Sequence, residues 1–107
     1  MIEIRRYLSE DGSNPVEDWL RAMRDVRAHA AVRIRIRRLE SGNFGDCKPV
    51  GGGVLELRVD IGQGYRLYCA RRGDALVILL CGGDKRSQSA DIERAKNYWA
   101  DWKRRNK

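Results

Sequence analysis

A chain of 107 residues, 42% of them hydrophobic, has room for one packed core and not for a second, and is too apolar to remain disordered. Its 22 lysines and arginines against 15 acids leave a net charge of +7, which favours polyanionic partners without choosing among nucleic acid, acidic protein and membrane surface. No apolar run approaches the roughly 18–20 residues of a membrane span, and Met1-Ile2-Glu3-Ile4-Arg5-Arg6 lacks the order of a secretion signal, so a soluble, cytoplasmic protein is expected.

Residues 2–8 read as a short strand with partial alternation, followed by the polar loop Ser9–Ser13. Asn14-Pro15-Val16-Glu17 is a helix start, with Asn14 as the cap and Pro15 in the first turn. Val16, Trp19, Leu20 and Met23 then form one apolar stripe. Residues 32–37 (Val-Arg-Ile-Arg-Ile-Arg) alternate as a strand would. The alanines at 28, 30 and 31, the lack of any breaker from 26 to 41 and the terminal Gly42 argue instead for a second helix over 26–41, hairpinned on the first. Asn43 to Gly53, rich in glycine and holding Pro49, reads as a loop. Val54–Ile61, Tyr65–Arg71 and Ala75–Cys81 are three strands of an antiparallel meander, and Gln88 to about Arg105 a final helix with Ile92, Ala95, Trp99 and Trp102 on one side. The fold class is therefore α+β. The cysteines, Cys47, Cys69 and Cys81, have no C-x-x-C spacing, and His29 is the sole histidine, so neither a disulfide framework nor a zinc site is expected.

The hairpin pattern brings chemistry-bearing residues together. With Gly62-Gln63-Gly64 as a three-residue turn, Ile61 faces Tyr65, Asp60 faces Arg66 and Arg58 faces Tyr68. Leu55, Leu57, Val59, Leu67 and Cys69 then share an apolar face, while Glu56, Arg58, Asp60, Arg66 and Tyr68 share the polar one. A tight Gly73-Asp74 turn sets Cys81 opposite Arg66, so that Gly82-Gly83-Asp84-Lys85-Arg86 leaves the sheet beside it. Arg58, Arg66, Lys85 and Arg86 can converge on one patch, which the glycines would let a ligand approach closely. Taken singly, each arginine is more often a paired surface residue, and Arg66 opposite Asp60 is an ordinary cross-strand ion pair.

Three segments, Leu55-Glu56-Leu57-Arg58-Val59-Asp60, Gly64-Tyr65-Arg66-Leu67-Tyr68 and Cys81-Gly82-Gly83-Asp84-Lys85-Arg86-Ser87-Gln88, resemble the RelE/ParE superfamily of toxins. Within it the chain is most similar to the phage-derived, HigB-like branch of addiction-module killer proteins. The resemblance implies a RelE-like domain over residues 1–107 and the toxin of a type II toxin–antitoxin pair. It implies cleavage of ribosome-bound mRNA, and neutralisation by a cognate antitoxin, expected to be a helix-turn-helix protein. Family arginines that contact the scissile phosphate correspond to Arg66 and Arg86, with Lys85 adjacent and Arg58 matching a basic residue on the preceding strand. Glu56 stands where some relatives carry a lysine, and the histidines that other branches use are missing.

Cleavage by a 2′-hydroxyl needs a proton acceptor, a proton donor and stabilisation of the charge on phosphorus. Arg58, Arg66 and Arg86 suit the last of these. Arginine stays protonated; Lys85, crowded by guanidinium groups, could exchange protons, with Asp84 as a competing base. Tyr68 and Tyr98 are candidate donors and RNA contacts, and Lys48 could reach the same phosphates. This scheme calls for no metal or other cofactor. Two alternatives remain open: a ParE-like inhibitor of DNA gyrase, and a nucleic-acid-binding module without catalysis.

Overall fold

The computed structural model describes residues 1–107. A five-stranded sheet is formed by β1 (Glu3–Arg6), β2 (Cys47–Gly51), β3 (Val54–Val59), β4 (Tyr65–Arg72) and β5 (Leu76–Asp84), in the order β1-β5-β4-β3-β2. Strands β2 to β5 form an antiparallel meander, and β1 lies parallel to β5 at one edge. Helices α1 (Pro15–Ala22) and α2 (Val26–Leu39) follow β1; a 3-10 turn, Lys85–Ser87, leads from β5 into α3 (Gln88–Arg105). The architecture is α+β and compatible with the RelE-like fold.

The helix starts follow the sequence closely. Asn14 caps α1 by accepting from the Glu17 amide at 3.1 Å, and Asp25 caps α2 by accepting from Ala28 at the same distance. Helix α2 buries Ala28, Val32 and Leu39 on one stripe, half-buries Ile36 and leaves Ile34 49% exposed. The alternation at 32–37 thus belongs to a helix, at the expense of one isoleucine in solvent.

Alternate strand residues supply two apolar cores, one on each face of the sheet, where the length of the chain suggested a single one. Val59, Leu67, Cys69, Val77 and Leu79 meet α1 and α2. Val54, Ala70, Ile78 and Leu80 meet Ala95, Trp99 and Trp102 of α3. The two tryptophans stack with centroids 5.4 Å apart, as packing residues. Burial pushes the thiols of Cys69 and Cys81 up to about 12, so both stay protonated as small apolar side chains.

Three details correct the sequence reading. The Asn43–Gly53 loop contains β2, which pairs Cys47 with Leu57, Lys48 with Glu56 and Pro49 with Leu55. Proline is tolerated because β2 is an edge strand, where no further neighbour asks for its missing N–H. The β3–β4 connection is longer than three residues: Val59 opposes Tyr65, Arg58 opposes Arg66 and Glu56 opposes Tyr68. Gly62 and Gly64, both at positive φ, turn the chain inside a five-residue loop, 60–64. The slip is two residues, so every side chain keeps its face. Finally, β5 carries an irregularity after Leu79, and Cys81, expected opposite Arg66, lies across from Tyr68, while Gly83 faces Arg66.

Candidate nucleic-acid interface

Arg58 and Arg66 stand directly across from each other on the α3-side face, with Gly83 completing the row on β5. Helix α3 starts at Gln88, beside Glu56, and runs toward Trp99 at Gly53, so this row lies beyond its N-terminal end. The row opens into a cleft of about 310 Å³ lined by Arg58, Arg66 and Lys85 together with Asp46, Asp60 and Gly64. Lys85, at the start of the 3-10 turn, leans over Gly64 so closely that a methyl there would sit 3.3 Å from its Cε. Three cations from three segments thus share one concavity.

Each guanidinium is held differently. Arg58 reaches out to the Asp46 carboxylate at 3.0 Å, and its amide donates to the Asp46 carbonyl at 2.9 Å. Arg35, from α2, fastens this corner by donating to the carbonyls of Phe44, Asp46 and Arg58. Arg66 instead lies down on the sheet, its side chain only 12% exposed, with Nε 3.6 Å from Glu56. Glu56 is wholly buried. Its Oε2 accepts from the Tyr68 hydroxyl at 3.0 Å and the Gln88 amide at 2.9 Å, and Lys48 stands 3.9 Å from Oε1.

Two buried polar atoms here have no hydrogen-bond partner: Oε1 of Glu56 and Nε of Arg66. An unmatched buried group costs about 1–3 kcal/mol. Burial, then the charge of Glu56 and the bond it accepts, push the Tyr68 phenol well above its usual range. Tyr68 is therefore a fixed donor to Glu56 that keeps its proton. The network holds a negative charge beneath the cleft, aimed at Arg66 and Lys48.

The family described as "Phage derived protein Gp49-like (DUF891)" matches residues 18–99, a span that holds every residue of the cleft and its supporting network. The chain belongs to that family. An uncharacterized protein of Haemophilus influenzae is 52% identical over 80 residues, which cover 75% of this chain and 81% of that protein. The Gp49-like family is toxin-like and related to RelE and ParE.

Other expected site residues of the Gp49-like protein lie elsewhere. Arg86 does not line the cleft. Its guanidinium turns to Asp84 at 3.1 Å and is 83% exposed. Asp84 in turn caps the 3-10 turn through the Arg86 amide at 2.8 Å. The bond from the Arg86 side chain holds the Asp84 carboxyl below its usual range, which makes it a poor base. Tyr68 is fully buried and cannot contact RNA. Tyr98 stacks on Tyr7 with centroids 4.6 Å apart and lines a different depression, beside Trp19 and Arg94. Lys48 sits on β2, not in a loop, on the face that carries Glu56.

Glycines 82 and 83 also serve another purpose than ligand approach. A methyl on Gly82 would overlap the Trp19 indole, and one on Gly83 the Asp91 carboxylate. Asp91 is itself buried and paired with Arg94 at 2.7 Å. The sequence concealed the roles of Asp46, Arg35 and Asp60. Asp46 lies in what read as a loop and Arg35 within an ambiguous alternation. Asp60 was expected to pair with Arg66, but the longer turn leaves its carboxylate in the cleft without an ion pair.

Proposed function

We propose that this Gp49-like protein is the HigB-like toxin of a type II toxin–antitoxin pair, an endoribonuclease that cuts ribosome-bound mRNA and so stops translation in the cytoplasm. The observation that carries the reading is the shared cleft of Arg58, Arg66 and Lys85, set above a buried Glu56. Guanidinium groups offer planar donors to phosphate oxygens, and their charge is worth most at the transition state, when phosphorus carries an extra negative charge. Arg66, the less exposed of the two, is the principal stabiliser, because a charge held on a rigid sheet needs no reorganisation during reaction. Glu56 is a positioning residue that fixes the orientation of Arg66.

In this reaction the 2′-oxygen attacks phosphorus, loses its proton, and forms a 2′,3′-cyclic phosphate as the 5′-oxygen departs with a proton. Lys85 supplies the one amine lining the cleft and Asp60 a carboxylate without an ion pair, so the proton is taken and given between these two. This scheme calls for no metal. Toxicity requires control, so the partner is an antitoxin, expected to be a helix-turn-helix protein that occupies the cleft or the sheet edge beside it.

The test is cleavage of ribosome-bound mRNA by purified wild type, Arg66→Ala and Lys85→Ala proteins. Loss of cutting in both variants with folding intact is expected; unchanged rates in both would overturn the assignment. A supercoiling assay with purified gyrase separates the ParE-like alternative, which has no need of a cationic phosphate cleft. A binding module without catalysis would leave transcripts whole.

A further inference from the structure

A cavity of about 650 Å³ lies next to the cationic cleft and has a different character. Tyr65 lines both. Beyond it the walls are Trp19 and Met23 from the end of α1 and its following loop, Gln63 from the β3–β4 turn, and Gly82-Gly83 of β5. This volume falls within the roughly 300–1,000 Å³ of small-ligand sites, and the walls combine the aromatic Trp19 and Tyr65 with a largely polar lining.

Three observations define what the cavity suits. First, its lining has no excess of positive charge: Asp25, Asp84 and Asp91 stand against Arg24 and Arg94, and Asp84 and Asp91 are already engaged by Arg86 and Arg94. A bare anion gains nothing there, in contrast to the neighbouring cleft. Second, β1 pairs with β5 only from Leu76 to Leu79, so from Cys81 to Asp84 the outer side of β5 has no strand neighbour. Along that edge Cys81 and Gly82 are buried and the Asp84 amide donates to the Ser87 hydroxyl at 3.4 Å, so β5 forms the floor of the cavity against Trp19. Third, the Gln63 amide makes only long bonds, 3.4 Å each to the Tyr65 hydroxyl and to Asp84, and is free to exchange them for better ones.

We infer that this cavity is a nucleobase subsite, which receives the base of a nucleotide flanking the phosphodiester held by Arg58, Arg66 and Lys85. Trp19 and Tyr65 supply aromatic surface for stacking, which is tolerant of sequence. Gln63 reads the hydrogen-bonding edge of the base. The inference deepens the proposed nuclease reading and rests on it for the identity of the neighbouring phosphate. It also gives the Trp19–Gly82 contact a use: the glycine lets the indole settle against β5 at the cavity wall.

NMR of the isotope-labelled protein tests it, with the three tryptophan indole signals assigned by comparison with Trp19→Phe. The four neutral ribonucleosides and inorganic phosphate are titrated separately. At least one nucleoside should move the Trp19 indole and Gln63 amide signals saturably while Trp99 and Trp102 stay in place. Phosphate should move the Arg66 signals and leave Trp19 alone. If phosphate acts at Arg66 but no nucleoside moves Trp19, the subsite is refuted and the phosphodiester reading stands. If a nucleoside moves Trp19 but phosphate leaves Arg66 unmoved, the subsite stands and the cationic cleft loses its assigned role. A second arm uses Gln63→Ala, an exposed loop change. It should redistribute the bases found beside cut sites, with about ten-fold loss at the preferred ones, where Arg66→Ala abolishes cutting at all of them. An unaltered cut-site distribution for Gln63→Ala would also refute base reading by this residue.

Discussion

The two faces of the sheet are made from alternate residues of the same strands, yet they finish in different physical states. Toward α1 and α2 the strands present Leu57, Val59, Leu67, Val77 and Leu79, all buried against the apolar stripes of the helices. Toward α3, one half is equally dry, with Val54, Ala70, Ile78 and Leu80 under Trp99 and Trp102. The other half holds Glu56, Arg58, Arg66 and Tyr68, and two of its polar atoms are buried without partners. The difference comes from coverage. Two helices close one face, while α3 begins at Gln88 and leaves the Arg58–Arg66 row beyond its end. A face that is closed supplies stability; the half that is not closed is where charge can meet a ligand.

Substitutions on the two faces should therefore separate stability from activity. Leu67→Ala, on the closed face, should cost about 2–5 kcal/mol of folding free energy in denaturant titrations, since it leaves a cavity among fully buried neighbours. Arg66→Ala, at the preceding residue but on the open half, should raise the cleavage barrier by about 2.7–4 kcal/mol. A protein that lost stability and activity in equal measure at both positions would erase the distinction between the faces.

The support beneath the cleft gives smaller effects. Tyr68→Phe removes the hydroxyl that donates to Glu56 at 3.0 Å and should cost about 1–3 kcal/mol of stability, by leaving the buried carboxylate with one donor fewer. Glu56→Gln keeps the shape but removes the charge beneath Arg66. It should lower kcat more than it raises KM, because the guanidinium remains but is less firmly oriented. If KM alone changed, Glu56 would be a substrate-binding group rather than a positioning one.

Arg86→Ala should have the least effect on cleavage, as this guanidinium is spent on Asp84 outside the cleft. Its signature is in titration. The Asp84 carboxyl lies below its usual range while Arg86 is present, so its contribution to the 3-10 turn is complete above the unfolded value of about 4 and fades as pH falls through the lower folded value. Carboxyl NMR of Arg86→Ala should show the Asp84 midpoint rising toward about 4. A midpoint that stays put would mean that another group holds it down.

Much of this was legible in the sequence. Asn14-Pro15 and the spacing of Val16 and Leu20 announced α1, the apolar stripe of α3 was plain, and alternation along β3 and β4 assigned each residue to its correct face even though the register was off by two. Proline and glycine concealed β2, because their usual role as strand breakers is lifted at an edge. The site was legible only in part. That Arg58, Arg66 and Lys85 share one cleft followed from strand parity and the order of the turns. The diversion of Arg86 depends on a capping bond within one short turn. The burial of Glu56 depends on Gln88 returning from 32 residues away, which no local pattern records.

The central claim is that the cleft of Arg58, Arg66 and Lys85 grips an RNA phosphodiester for cleavage. Primer extension on transcripts from cells briefly expressing the wild type or Arg66→Ala protein tests it most directly. The account expects new transcript ends within reading frames for the wild type and none for the variant at equal protein level. Growth arrest by the wild type with every transcript intact would contradict it.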